Sequence, residues 1–587
     1  MTKLELLKQV FGHDHFREGQ ERLIDELIAG YDVMGVMPTG AGKSMCYQLP
    51  ALMMEGITLV ISPLISLMKD QVMALKASGV AAAYINSSLT PGQQAEAIRR
   101  ACNGAYKIIY VAPERLEMPS FISFAQRANI ALLAVDETHC VSQWGQDFRP
   151  SYLRIAQFVK KLPKRPPVAA FTATATARVR EDMKRLLELV EPYELITGFN
   201  RPNLHFSSFK PSSKYAMLRA FLEEMGDECG IVYCSTRKNV EEVTDKLRED
   251  GFSASRYHAG LSDAERRSNQ DDFQYDRARI MVATNAFGMG IDKSNVRFVV
   301  HYNMPRDLES YYQEAGRAGR DGEPAECMLL YSGQDVITGK WMIEHSDDNP
   351  ELDAQQKERI RQIELERLRQ MTYYATSKSC LRRFMLRYFG ETDVPECCDN
   401  CSVCEDEAFE RDTGGLCISH RMSKEERRER RLQRQSENAG LSAWQQALLG
   451  NLKSLRSLLA AQLHAPAYTV FSDASLIDMA HRRPTTMDEF LDVSGVGVAK
   501  QKKYGPVFLA VIRDGKEPNE AMEDFETGEE KPVRKRRENA GERWTEQEDN
   551  ALREAYLSEV SMRELAHRHG RTAGAIRARL QRLGLIE

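Results

Sequence analysis

The sequence lacks an apolar run long enough to cross a bilayer, and Met1–Val10 lacks the apolar stretch of a signal peptide. We therefore expect no membrane partner and a cytoplasmic protein, associated with the nucleoid if the source is bacterial. A large excess of either charge is also missing, because the formal net charge is -5 over 587 residues. Net charge thus excludes no polynucleotide partner, since the clustering of positive groups decides nucleic-acid binding.

Cysteine is scarce outside one short stretch. Five of the 12 cysteines lie between Cys380 and Cys404. In a reducing compartment such clustering favours a metal site over disulfides. We interpret most of the remaining cysteines as small buried apolar side chains.

Short apolar runs alternate with amphipathic stretches up to about residue 205, and the pattern restarts after Pro211. Such alternation is typical of βαβ units around a buried parallel sheet, so we predict two α/β domains in tandem. The predicted strands of the first domain are 32–37, 58–62, 107–111, 131–135 and 168–171, and those of the second are 230–234, 253–257, 279–283 and 298–301.

Helical periodicity and charged linkers dominate the rest of the chain. The predicted ranges are 1–205 and 206–340 for the two α/β domains, 341–410 for a helical cysteine-rich module, 411–440 for a charged linker, 441–516 for an all-α domain, 517–541 for a disordered linker and 542–587 for a second small all-α domain.

The strongest local signal is Met37–Ser44 (MPTGAGKS), which follows an apolar strand and precedes a helical pattern. Its glycines allow backbone N–H groups to converge on phosphates, and the helix N-terminus adds a favourable dipole. We expect Lys43 to reach the outer phosphates of ATP and the Ser44 hydroxyl to bind Mg²⁺. The predicted nucleotide-binding residues of this loop are Thr39, Gly40, Gly42, Lys43 and Ser44.

A carboxylate pair, Asp136 and Glu137, ends the apolar run 131–135. Ligands bind at the carboxyl ends of strands in open α/β sheets, so we predict that the pair lies beside the phosphate loop. Asp136 would hold Mg²⁺, and Glu137 would polarise the attacking water. The alternative is an exposed acidic turn.

A third motif, Gln313–Arg320 (QEAGRAGR), lies in the second predicted α/β domain. Phosphoryl transfer spreads negative charge over equatorial oxygens, which arginines can neutralise. Arg320 is the preferred arginine finger, and Arg317 shares the role. A surface helix with spare arginines is the alternative.

Together these motifs resemble helicase superfamily two, and within it the RecQ family, over roughly Leu4 to Asp406. The resemblance implies two RecA-like domains, ATP and Mg²⁺ as ligands, and ATP-driven DNA unwinding in recombination and repair with 3′ to 5′ movement. Phe16–Gln20 (FREGQ) resembles the adenine-reading motif, which implies base contacts from Arg17 and Gln20 and stacking on His13. Gln313 is expected in the catalytic group with the two arginines.

Several further segments resemble parts of that family that couple hydrolysis to DNA. Ser142–Arg149 (SQWGQDFR) is similar to its aromatic-rich loop, in which Trp144 and Phe148 would stack on bases and Arg149 would supply charge. An inward-packed loop is the alternative. Thr172–Thr174 (TAT) resembles the motif that links hydrolysis to domain movement. The strand-gripping motifs correspond to 62–71, 112–115, 257–261 and 282–292.

The cysteine cluster predicts a structural Zn²⁺ site, since C-x₂-C turns supply tetrahedral thiolate ligands. Cys380, Cys398, Cys401 and Cys404 resemble the RecQ zinc module, with Cys397 as the spare. An alternative register uses Cys397 in place of Cys398. The neighbouring arginines, which either touch phosphates or pair with acids, are Arg382, Arg383 and Arg387.

The C-terminal part departs from many RecQ proteins, because about 35 residues after Cys404 are too few for a winged-helix domain. The 441–516 segment instead resembles the HRDC module, with Lys500 beside a glycine-containing hairpin that would meet a phosphate. The last helical unit resembles a Myb-like or helix-turn-helix fold, whose recognition-type helix would present Arg577 and Arg579. Its expected core positions are Trp544, Leu552, Tyr556, Leu565, Ile576 and Leu580. That unit binds DNA or a protein.

The expected partners are single-stranded and forked or branched DNA, together with a single-strand-binding protein or other repair proteins, and the expected state is a monomer. Two other functions stay open. The motor could act on RNA, or the protein could be a nucleotide-switched module that anneals or remodels DNA without processive unwinding.

Overall fold

Two parallel sheets form the framework of the chain. The computed structural model describes residues 1–38, 40–142, 148–287, 293, 295–345, 354–405, 410–411, 441–463, 467–523, 525, 544–558, 560, 562–569, 571 and 573–585. The chain divides into two units, Met1–Glu523 and Asp524–Glu587. Among the described residues, no helix combines the length and hydropathy needed to cross a membrane.

The first sheet has seven parallel strands in the order β3-β4-β2-β5-β6-β1-β7. Its strands are β1 Val33–Val36, β2 Ile57–Ile61, β3 Ala82–Ile85, β4 Ile108–Val111, β5 Ile130–Val135, β6 Val168–Thr172 and β7 Tyr193–Ile196. Its helices are α1 Lys3–Leu6, α2 Gln20–Ala29, α3 Lys43–Met53, α4 Ile65–Ala77, α5 Pro91–Cys102, α6 Pro119–Arg127, α7 Ile155–Lys160 and α8 Ala177–Leu186. This part of the chain, residues 3–196, is called lobe 1.

The second sheet also has seven strands, in the order β10-β11-β9-β12-β13-β8-β14. Its strands are β8 Leu204–Pro211, β9 Gly230–Tyr233, β10 Ala254–Tyr257, β11 Ile280–Ala283, β12 Phe298–His301, β13 Ala325–Leu330 and β14 Glu410–Arg411. The accompanying helices are α9 Lys214–Met225, α10 Arg237–Glu249, α11 Asp263–Gln274, α12 Leu308–Ala315 and α13 Gly333–Glu344. Residues 204–344 are called lobe 2.

The central strands of both sheets are buried on both faces, which explains their continuous apolar character. The predicted α/β class with two parallel-sheet domains is therefore confirmed. The strand bounds agree with the predicted ones to within one residue at most ends. Strands β3, β7, β8, β13 and β14 were not predicted.

Strand β8 shows why the start of the second sheet was predicted at the wrong place. It begins at Leu204, before the predicted restart at Pro211, and carries the polar residues Ser207 and Ser208 in its interior. Both serines are buried, and the Ser208 hydroxyl donates to the Ala375 carbonyl at 2.7 Å. A strand whose polar groups are satisfied by a distant segment has no apolar signature in the sequence.

Helices make up the rest of the first unit. Two of them, α14 Ala354–Ala375 and α15 Leu381–Tyr388, precede the cysteine cluster. The helical domain, defined here as residues 441–523, contains α16 Ala443–Gln462, α17 Ala467–Val470, α18 Asp473–Arg482, α19 Met487–Leu491, α20 Val498–Ile512 and α21 Pro518–Glu523.

Helix α21 corrects one prediction. The segment from Glu517 was expected to be disordered, yet Pro518–Glu523 is helical and Ala521 is buried. A short amphipathic segment gains its order from packing against α16, which the local charge pattern does not reveal. The other predicted linker, 411–440, lies outside the described residues apart from Arg411.

The second unit is a small trihelical fold, with α22 Glu546–Leu557, α23 Met562–Arg568 and α24 Ala573–Arg582. Its buried core consists of Leu552, Leu565, Ala566, Ile576 and Leu580, with Trp544 and Tyr556 packed against it. The predicted apolar positions of this unit are thus confirmed.

Asp32 joins three parts of lobe 1 and provides a stability test. Its carboxylate accepts hydrogen bonds from Arg165 at 2.9 and 2.6 Å and from the backbone N–H groups of Val168 and Val190, each at 2.8 Å. Replacing Asp32 by Ala should lower the free energy of unfolding by roughly 3 kcal/mol, because buried donors lose their acceptor. Urea denaturation measures this change.

The matched control is Asp227→Ala, since the Asp227 side chain is exposed and lies 3.7 Å from Arg279. That variant should lose less than about 1 kcal/mol. Equal losses for the two variants would show that the Asp32 contacts contribute nothing specific.

Candidate nucleotide and metal sites

The phosphate loop joins β1 to α3 at the carboxyl edge of the first sheet. Gly40 and Gly42 have φ values of +87° and +83°, a region that favours glycine. Gly42 precedes the first turn of α3, so the loop N–H groups and the helix N-terminus face the same region. Lys43 donates to the Met37 carbonyl at 3.0 Å and so bridges the two ends of the loop. Thr39 lies outside the described residues.

The carboxylate pair lies near this lysine although its strand is not adjacent to β1. Strand β6 separates β1 from β5, the strand that Asp136 follows. Burial, and then the charge of Glu137, raises the pKa of Asp136 to about 7, while Lys43 opposes the rise. Burial lowers the pKa of Lys43, and Glu137 and Asp136 oppose that shift. The three groups therefore share one electrostatic environment.

Glu137 adopts a left-handed backbone conformation with φ +47°, which is uncommon for a non-glycine residue. Among the described residues its buried Oε2 atom has no hydrogen-bond partner, and it lies 3.4 Å from His139 Nδ1. An unsatisfied carboxylate oxygen at this point fits the predicted water-polarising role. Thr138, next to this carboxylate, donates its hydroxyl to the Val135 carbonyl at 2.8 Å.

Strand β6 connects the carboxylates to lobe 2. His139 Nδ1 lies 2.8 Å from the Thr172 hydroxyl, which donates to the Thr174 carbonyl at 3.1 Å. The Thr174 hydroxyl in turn accepts a hydrogen bond from Gln313 Nε2 at 3.2 Å. A continuous polar chain therefore runs from beside Glu137 to the arginine motif of lobe 2.

The arginine motif also lies near the phosphate loop. A Cβ atom placed on Gly40 would lie 3.7 Å from the Arg320 carbonyl oxygen. The charge of Arg320 contributes to the lowered pKa of Lys43, after the effects of burial and the two carboxylates. The structure thus brings Lys43, Asp136, Glu137, Gln313 and Arg320 to one region between the lobes. Arg317 is buried next to this region.

Two residues that the sequence reasoning missed hold the arginine motif in place. Arg201 donates to the carbonyls of Gly316, Ala318 and Gly319 at 3.4, 3.1 and 2.7 Å. Asn203 Nδ2 donates to the carbonyl of Gly319 at 2.9 Å. Their position in segment 200–203, directly before a buried strand, was the sequence feature that could have indicated this role.

The predicted base-reading residues pack around the phosphate loop. Arg17 donates to the Gly40 carbonyl, and Gln20 Nε2 donates to the carbonyls of Ala41 and Gly42, each at 3.1 Å. Desolvation lowers the pKa of His13, and the charges of Arg17 and Lys500 lower it further. Base contact by these three residues stays a prediction.

The residues present fit Mg²⁺. The charge of Glu137 disfavours ionised Asp136 in this buried position, and a divalent cation would offset that repulsion. The Ser44 hydroxyl, at the start of α3, hydrogen-bonds to Tyr47, whose pKa is raised by burial and also by the charge of Asp136. Ser44 and Asp136 would hold the ion.

The cysteine cluster forms a compact thiol site. The Sγ atoms of Cys380, Cys398, Cys401 and Cys404 all lie within 4.8 Å of one another. A zinc tetrahedron with bonds of about 2.3 Å has edges of about 3.8 Å, so this set fits Zn²⁺. A hydrogen bond from Cys398 lowers the pKa of Cys401 to about 4, which favours the thiolate. Cys397 is exposed and outside the group, so the geometry favours the Cys398 register.

One of the arginines of α15, Arg382, stabilises the fold. Arg382 is 5% exposed and donates to Asn200 Oδ1 at 3.0 Å, to the Arg201 carbonyl at 2.6 Å and to the Leu204 carbonyl. It therefore binds the segment that precedes β8 and has no exposed surface for a phosphate. Arg383 lies 3.3 Å from Glu396.

The predicted DNA contacts are dispersed. Trp144 lies outside the described residues, and Phe148 and Arg149 are half-buried, with Arg149 donating to the Pro63 carbonyl at 3.3 Å. Lys500 is half-buried with its ammonium 5.5 Å from the Phe471 ring centroid, and burial lowers its pKa to about 8. Arg577 is exposed on α24. These roles stay predictions.

The prediction for Arg579, which lies two positions after Arg577, needs a correction. Arg579 was expected to face a ligand, but it pairs with Asp549 at 2.6 Å and lies over the Trp544 ring. It therefore joins α24 to α22 through an ion pair. A helical register alone cannot show which of two arginines an acidic partner on another helix will engage.

Four family models match the chain. They are the DEAD/DEAH box helicase over residues 17–183, the helicase conserved C-terminal domain over 213–322, the RecQ zinc-binding model over 333–405 and the HRDC domain over 445–512.

Curated relatives match most of the length of this chain. The ATP-dependent DNA helicase RecQ of Bacillus subtilis is 38% identical over 589 residues, covering 86% of this chain and 98% of the relative. The protein of the same name from Haemophilus influenzae is 35% identical and covers 88% of this chain and 96% of the relative. The ATP-dependent DNA helicase hus2/rqh1 of Schizosaccharomyces pombe is 40% identical over 69% of this chain but only 31% of its own length.

The thiol geometry gives a direct metal test. Cys401→Ser should reduce bound zinc well below the wild-type content, because the variant loses one of the four thiolate ligands. Mass-spectrometric metal analysis of the purified protein measures the content. Cys397→Ser is the matched control and should retain the wild-type amount. The opposite pattern, with loss only in the Cys397 variant, would reverse the assigned register.

Proposed function

The chain belongs to the RecQ helicase family, and from this premise we propose that it hydrolyses ATP to move along single-stranded DNA and unwind duplex or branched DNA. The observation that carries the proposal is the meeting of both lobes at one site. Lys43 and the carboxylate pair come from lobe 1, and Gln313 and Arg320 come from lobe 2. A site divided in this way converts the gain and loss of phosphate contacts into lobe movement.

The residues have distinct proposed roles in hydrolysis. Lys43 and Arg320 would neutralise charge on the phosphate oxygens, with Arg317 assisting. Glu137 would orient the attacking water and accept its proton. Mg²⁺, held by Ser44 and Asp136, supplies charge neutralisation at the phosphates when bound. Zn²⁺ on the four cysteines has a structural role, because four thiolates leave no open position.

The polar chain through β6 supports a coupling role. Gln313 of lobe 2 binds Thr174, and Thr172 lies beside His139, next to Glu137. A change in the charge near Glu137 would therefore reach the lobe interface through neighbouring polar contacts. We propose that this chain links hydrolysis to the alternation of strand-binding surfaces, to which Phe148 and Arg149 would belong.

The proposed substrates are single-stranded and forked DNA, the direction is 3′ to 5′, and the working state is a monomer. A strand-displacement assay with forked, 3′-tailed and 5′-tailed duplexes tests the activity. Unwinding of the forked and 3′-tailed substrates but not the 5′-tailed one is expected. ATPase activity without displacement of any substrate would favour a nucleotide-switched binding module, and equal stimulation by RNA would favour an RNA motor.

A lysine substitution tests the assigned phosphate site. Lys43→Ala should reduce DNA-stimulated ATP turnover at least about 100-fold, because the phosphates lose their principal lobe 1 cation. Binding to single-stranded DNA, measured by fluorescence anisotropy, should change less than about threefold. Lys160→Ala is the control, since Lys160 is an exposed lobe 1 lysine paired with Glu188. Turnover retained in the Lys43 variant would refute the assignment.

A further inference from the structure

The helical domain is docked on lobe 1 through backbone atoms. Its turn 493–497, between α19 and α20, reaches the segment that follows the N-terminal helix. The Gly495 N–H donates to the Gly12 carbonyl at 2.6 Å. A Cβ on Gly12 would lie 2.3 Å from the Val496 nitrogen, and one on Gly497 would lie 2.5 Å from the Val10 carbonyl oxygen. The two backbones approach so closely that side chains at these glycines would separate them.

The same domain contacts lobe 2. The Tyr468 hydroxyl accepts a hydrogen bond from Gln274 Nε2 at the end of α11, at a distance of 3.3 Å. The charge of Asp473 contributes to the raised pKa of Glu323, after burial and the charge of Asp321. Glu323 follows Arg320 by three positions. The helical domain therefore contacts both lobes, lobe 1 at Gly12 and lobe 2 at Gln274.

The lobe 1 segment under the turn is the one predicted to read the base. Gly12 adjoins His13, and Arg17 and Gln20 bind the carbonyls of the phosphate loop. Residues 12–19 form neither helix nor strand, so few backbone hydrogen bonds hold them. Lys500, at the start of α20, is close enough to His13 to lower its pKa, after the effects of desolvation and Arg17. Order in this segment thus depends on its neighbours.

We propose that turn 493–497 of the helical domain is a positioning element for the base-reading segment 12–17, so that docking sets the affinity and base selectivity of nucleotide binding. The proposal rests on the function proposed above. A loop held in its binding conformation loses less conformational entropy when the ligand binds. Docking should therefore influence nucleotide affinity more than the chemical step, whose residues lie at Lys43, Glu137 and Arg320.

Gly497→Ala in the full-length chain is the test variant. Gly497 has φ -91° and ψ 168°, which alanine adopts without strain, so the added methyl group affects the Val10 contact and not the local backbone. Gly450→Ala is the matched control in the same domain, because a Cβ there meets nothing within 4 Å. Gly497→Val is a second variant with a larger side chain.

Three measurements define the outcome. Hydrogen exchange of residues 9–19 reports docking, and equilibrium binding of fluorescent ATP and GTP analogues reports affinity and base selectivity without turnover. Steady-state kinetics with saturating single-stranded DNA gives KM and kcat. Gly497→Ala should accelerate hydrogen exchange in residues 9–19. It should also raise the Kd of the ATP analogue about fivefold (about 1 kcal/mol) and reduce the difference between the Kd values of the ATP and GTP analogues. The value of kcat should stay within about twofold.

Two results would overturn the proposal. Faster exchange with unchanged Kd and base selectivity would show that docking does not position the segment. Unchanged exchange and Kd in both the Ala and Val variants would show that the backbone contact has no positioning role. Failure of the proposed function is distinguishable, because wild-type protein would then show no DNA-stimulated ATP turnover whatever the variants bind.

Discussion

The division of one phosphate site between two sheets is the constraint on which the rest of the structure depends. Lobe 1 supplies a half-buried lysine and two carboxylates, where burial and the charge of Glu137 raise the pKa of Asp136, and lobe 2 supplies the arginines. Neither half alone balances the charge of a triphosphate and its transition state. The hydrogen bond from Gln313 to Thr174 joins the two halves.

The surrounding modules help to hold the two halves of the site in position. Arg382, on the helix that follows the zinc ligand Cys380, binds the 200–204 segment. Arg201 within that segment binds the carbonyls of the arginine motif. The cysteine module is therefore linked to the arginine motif by two successive sets of hydrogen bonds, through which a bound Zn²⁺ would help to orient the proposed phosphate site. The helical domain contacts the segment that is predicted to read the base, through the hydrogen bond from Gly495 to Gly12.

Local chemistry was predictable from the sequence, and long-range contacts were not. The glycines of the phosphate loop, the carboxylates after β5 and the C-x₂-C spacings each reflect a short-range physical requirement, so their residues could be named without coordinates. The insertion of β6 between β1 and β5, the polar interior of β8 and the bracing by Arg201 depend on segments far apart in the chain. The hydrogen bond between Gly495 and Gly12 joins residues from opposite ends of the first unit's sequence. The hydrophobic periodicity of the sequence does not reveal such a contact.

The central claim is that Arg320 of lobe 2 completes the catalytic site of lobe 1. ATP turnover and the affinity for a non-hydrolysable ATP analogue, measured together for Arg320→Ala, test it most directly. The account predicts that turnover falls about 1000-fold or more, as for the loss of an arginine finger, while affinity changes less than about tenfold. Turnover within tenfold of the wild-type value would contradict a phosphate site shared by the two lobes.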